Sequence, residues 1–64
     1  MPLYELYLLL GQNPNIKCFK LYKEGHFCNT RYSIRQVIEF IINYNLKVYT
    51  TYMADDVTIV IEVN

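Results

Sequence analysis

Six Lys plus Arg stand against six Asp plus Glu, leaving no formal net charge, so the chain has no whole-molecule field to draw in nucleic acid from a distance. Cysteine is scarce. Cys18 and Cys28 allow at most one disulfide, whereas small secreted frameworks are held by roughly two to four; the pair reads as buried thiols in a reducing compartment. Cys18, the single His26 and Cys28 lack the paired spacing and the fourth ligand of a zinc site, so no metal or other cofactor is expected. The first residues lack a basic n-region, and Glu5 interrupts the apolar segment that a signal peptide needs. No apolar run approaches the about 20 residues that cross a bilayer, and no lipidation signal is present. The expectation is a cytoplasmic protein without membrane contact. Repeats, linkers and low-complexity segments are also missing, and 64 residues form one domain, residues 1–64.

Apolar residues are plentiful. They make up 53% of the chain and aromatics 16%, too apolar for charge-driven disorder. A domain this small buries only about 60% of its extended-state surface, so self-association is expected.

Residues 3–10 alternate Tyr4, Leu6, Leu8 and Leu10 against Glu5, Tyr7 and Leu9, which suits a strand with one buried face. Gly11 to Asn15 holds turn formers, and Pro14 bars a helix. Ile16 to Tyr22 reads as a second strand ending at Lys23-Glu24-Gly25-His26, with Phe27 and Cys28 briefly resuming the pairing. From Ser33 the period changes: Ile34, Val37, Ile38, Ile41 and Ile42 form a helical stripe, Ser33 with Gln36 matches a capping box, and Asn43 and Asn45 favour a stop near residue 45. Leu46 to Met53 is a β-rich run, Ala54-Asp55-Asp56 a turn, and Val57 to Val63 a strand with Val57, Ile59, Ile61 and Val63 on one face. The fold expected is α+β: a small antiparallel sheet in the order β-β-α-β-β with one amphipathic helix packed on one face.

No catalytic constellation assembles from one His, two Cys and six scattered carboxylates, so the chain is not read as an enzyme. Asp55 and Asp56 are ordinary turn residues, and His26 a solvated one. Residues 17–35 are locally basic, with Lys17, Lys20, Lys23, Arg31 and Arg35 against Glu24, and with Phe19, Tyr22 and Phe27 interleaved. A small nucleic-acid-binding regulator could use such a segment, with bases stacked on the aromatics. On the helix, Phe40 projects over about 100° from a stripe centred near Ile34, Ile38 and Ile41, which would leave it exposed. Tyr44 lies one turn on, Gln36 one turn before and Glu39 adjacent, together the composition of an interface anchor. The same aromatics would also serve a helix-face dimer.

Three features resemble the very short uracil-DNA glycosylase inhibitors of protein-primed Bacillus phages. They are the segment from Leu8-Leu9-Leu10 to Lys23-Glu24-Gly25, Phe40-x-x-x-Tyr44 followed by Asn45, and Ala54-Asp55-Asp56-Val57 opening an alternating last strand. The resemblance implies a homodimer that occupies the DNA-binding groove of the host glycosylase as a DNA mimic, without binding nucleic acid itself. It also implies that Phe40 enters an apolar cavity of the enzyme, with Tyr44 one turn later. Glu39 and Glu24 are the nearest candidates for imitating phosphates. A neutral charge and the strand expected at Leu46 to Met53 depart from the family pattern.

Overall fold

The computed structural model describes residues 2–64, with side chains from Tyr4 onward. Helix α1 (Pro2–Gln12) precedes strands β1 (Cys18–Lys23) and β2 (His26–Arg31); helix α2 (Ile34–Asn43) then leads to β3 (Val48–Asp55) and β4 (Thr58–Val63). The α+β class and the order β-β-α-β-β stand as expected, with α1 added in front.

That addition corrects the first expected strand. Residues 3–10 are helical, because their leucines fit two periods at once. Leu6, Leu9 and Leu10 recur at i, i+3 and i+4, a helical stripe, as readily as Leu6, Leu8 and Leu10 alternate. Leu6 is fully buried against the sheet, while Leu8, about 200° round the helix from it, is 43% exposed. At the end of α1, Asn13 donates to the Leu9 carbonyl through both its backbone N–H (3.0 Å) and its side-chain amide (2.9 Å), and Pro14 follows.

The sheet order is β2-β1-β4-β3. Hairpins β1–β2 and β3–β4 are antiparallel, as expected, but β1 and β4 run parallel. The cause is α2. A helical crossover from one edge strand to the other lets β3 start in the direction of β2, and the following hairpin then lays β4 alongside β1 in parallel. β2 is a full strand, longer than the brief resumption expected at Phe27 and Cys28. Its turn places Glu24 and Gly25 at φ 52° and 81°, the left-handed pair that a tight hairpin needs.

Register puts Phe19 and Leu21 of β1 beside Ile59 and Ile61 of β4. With Val63 they form the core under Leu6, Val37 and Ile41, so two helices, rather than one, cover the same sheet face. Val57 to Val63 alternates as anticipated, yet Val60 and Thr58, on the opposite face, are buried too. Val60 lies in register between Lys20 and Tyr52, long side chains able to cover it. The opposite face otherwise carries Tyr22 and Phe27 in edge contact, with centroids 5.5 Å apart. Cys18 is half-buried and Cys28 exposed, so the expectation of two buried thiols does not hold. Among the described residues no helix is long and apolar enough to cross a membrane.

Candidate partner-binding site

α2 is the element on which the candidate site rests, and its ends are defined locally. Ser33 has an extended backbone, and its Oγ accepts from the Gln36 N–H at 3.2 Å. Gln36 Oε1 in turn accepts from the Tyr32 N–H at 2.9 Å, one residue before the cap rather than at it. At the other end Asn45 is left-handed (φ 52°). The Leu46 N–H donates to the Ile41 carbonyl and the Asn45 N–H to that of Ile42, the paired closure of a Schellman motif.

The helix is rotated from the expected orientation. Val37 and Ile41 are its buried residues, and from Val37, at about 100° per residue, Ile41 lies about 40° to one side and Phe40 about 60° to the other. Phe40 is therefore half-buried and packs on the core, which corrects the expectation of an exposed ring. Ile42, placed in the apolar stripe by its spacing, is turned out and is 69% exposed.

Phe40 and Tyr44 nevertheless form a pair, with centroids 4.8 Å apart and planes tilted by 45°. Tyr44 is 67% exposed and stands at the rim of an open cleft of about 460 Å³ lined by Thr30, Arg31 and Tyr32 from the β2 side and by Gln36, Glu39, Phe40, Asn43 and Tyr44 from α2. Phe40, Tyr44, Glu39 and Gln36 are thus brought together as the sequence suggests. Glu24 is not. It sits in the β1–β2 turn, at the opposite end of that hairpin from Arg31, which pairs with Phe19.

The sequence places Arg31 in the basic 17–35 segment but not beside the helix aromatics, because its strand pattern loses β2 after Cys28. Its guanidinium lies 5.4 Å from the Phe40 ring centroid, a cation–π arrangement that shields the face of the ring. Glu39 is engaged by the Arg35 Nε at 3.2 Å. The cleft region therefore holds two arginines against one carboxylate, and acidic groups do not gather there. The cations of the basic segment are likewise dispersed. Lys20 shares the open-face register with Tyr22, whereas Lys23 and Arg31 fall in the register of the helix-covered face. Among the described residues no three His, Cys, Asp or Glu side chains converge on a point. Family models, curated proteins and solved structures offer no match to this chain.

Proposed function

We propose that this chain is a non-enzymatic protein inhibitor whose target is uracil-DNA glycosylase, acting in the host cytoplasm and gripping the enzyme with the α2 edge. The observation that carries the reading is the tilted Phe40–Tyr44 pair at the rim of the cleft, with one ring seated on the core and the other in solvent. A rigidly backed aromatic that keeps most of its surface open has the form of an interface hot spot. The resemblance described above supplies the choice of glycosylase.

The half-burial of Phe40 shifts the leading anchor to Tyr44. Phe40 backs it and offers only its uncovered edge, while Gln36 and Asn43 supply polar contacts around it. Because Glu39 is paired with Arg35 and Glu24 lies remote, phosphate imitation has little support at this edge. Binding driven by the aromatic pair should depend weakly on ionic strength.

The test is uracil excision by a bacterial glycosylase with increasing amounts of the purified chain, alongside DNA retardation. Inhibition near stoichiometric amounts, lost in Tyr44→Ala, is expected. No effect at large excess overturns the reading, and salt-sensitive DNA retardation without inhibition would replace it with direct nucleic-acid binding.

A further inference from the structure

We propose that the sheet face turned away from the helices carries a cation-binding site, built from Tyr22, Phe27, Tyr52 and Glu62, that takes the ammonium group of a lysine side chain presented by a partner protein. Both helices pack on the other face. The inference stands apart from the glycosylase reading.

Strand register gathers the four side chains. Phe27, Tyr22 and Glu62 are consecutive in one row across β2, β1 and β4. Tyr52 pairs with Val60, two residues before Glu62 on the same face of β4, so Tyr52 and Glu62 are diagonal neighbours within reach of long side chains. The rings of Tyr22 and Phe27 meet at 69° with centroids 5.5 Å apart, an edge-to-face pair that forms a steep corner. Phe27 is 55% exposed and Tyr52 46%.

The charges around this corner favour a cation. Glu62 is half-buried and is in no ion pair, since among the described residues the salt bridge is that of Arg35 with Glu39. The chain's own cations lie elsewhere. The Val57 N–H and, more weakly, the charge of Lys20 hold the Asp55 carboxyl below its ordinary 3.8, which places Lys20 towards the Asp55 end of the face. Lys47 precedes β3, where its carbonyl accepts from the Asn64 N–H. Among the described residues the cation–π contact is that of Arg31 on Phe40, so no cation of the chain stands over Tyr22, Phe27 or Tyr52. Desolvation, then hydrogen bonding to Glu62 and the Glu62 charge, hold the Tyr52 hydroxyl above its ordinary pKa of 10.0. The phenol stays neutral and Glu62 supplies the negative charge.

Neighbouring strands lie about 4.8 Å apart, and a cation–π contact places an ammonium within about 6 Å of a ring centroid. An ammonium over Tyr22 therefore reaches the Glu62 carboxylate on the next strand. A lysine fits this arrangement, because its methylene stem lies along the rings while its charged head meets the carboxylate. An open face encloses too little of a free small cation to hold it, whereas a lysine on a protein surface brings further contacts. Nucleobases also stack on exposed rings, but their phosphates would approach Glu62 and Asp55 with Lys20 as the strand lysine against them.

The test is a chemical-shift titration of the full chain, to about 20 mM, with a blocked Gly-Lys-Gly peptide, its Nε-trimethyl-lysine form and its uncharged norleucine form, and separately with oligothymidine. Expected are saturable shifts at Tyr22, Phe27, Tyr52 and Glu62 for both cationic peptides, with Kd on the order of 1 mM, and none for norleucine. The trimethyl form should bind at least as well as lysine, because the rings attract its charge without needing an N–H donor. Glu62→Gln and Phe27→Leu should each weaken binding about two- to fivefold. Unmoved resonances, equal shifts with norleucine, loss of binding on trimethylation or undiminished binding in either variant overturns the proposal. Tighter binding of oligothymidine at the same residues also overturns it and assigns the face to single-stranded nucleic acid. If a variant loses its native spectrum, the comparison of peptides on the unaltered chain decides. No glycosylase enters the measurement, so its outcome and that of the excision assay are independent.

Discussion

Phe40 and Tyr44 pack in a tilted pair with ring centroids 4.8 Å apart although one ring belongs to the core and the other to the solvent, so the same pair should separate stability from binding. Phe40→Ala should cost about 2 kcal/mol, less than the about 3–5 of a fully buried ring. Tyr44→Ala should change stability by no more than about 0.5 kcal/mol. Urea unfolding measures both. In an excision assay Tyr44→Ala should be the weaker inhibitor per folded molecule, and equal losses from both variants would argue against Tyr44 as the anchor.

Leu6 and Leu8 provide a test of the helical assignment. In a strand they would share a face, and truncating either would cost the same. In α1 only Leu6 is buried, so Leu6→Ala should destabilise by about 2–5 kcal/mol, and Leu8→Ala, in dilute solution where self-association is absent, by about 0.5 kcal/mol or less. Denaturant midpoints of the two variants decide the matter.

The start of α2 rests on Ser33. Removing its hydroxyl in Ser33→Ala leaves the Gln36 N–H without its acceptor and should cost about 1 kcal/mol. Ser33→Asp should recover most of that loss, because a carboxylate accepts the same bond and meets the positive end of the helix dipole.

Asp55 ties the β3–β4 turn to pH. Its carboxylate accepts from the Val57 N–H at 2.9 Å, and that bond, with smaller help from Thr58 and Lys20, holds its pKa below the ordinary 3.8 despite some desolvation. A depressed folded-state pKa means that the unfolded chain takes up the proton first. The contribution is therefore complete well above 3.8 and is lost as pH falls through the folded value. Stability of the unaltered chain should decline below about pH 4, and Asp55→Asn should flatten part of that decline. An identical acid limb in both proteins would exclude Asp55 as a source.

Much of this arrangement was readable from local pattern. Ser33 and Gln36 announced the start of α2, Asn45 its end, and the alternation of Val57, Ile59, Ile61 and Val63 a strand, because caps and single periods act within a few residues. The grouping of Gln36, Glu39, Phe40 and Tyr44 follows from helical spacing alone. Where two periods fitted, as in Leu6 to Leu10, only burial against a sheet built from distant residues selected the helix. Whether Phe40 or Ile42 turned inward, and whether Arg31 came to lie over the ring, was likewise decided by packing. Sequence spacing sets the angles between residues on a helix, but the rotation of that helix on its neighbours is chosen by the shape of the surface beneath it.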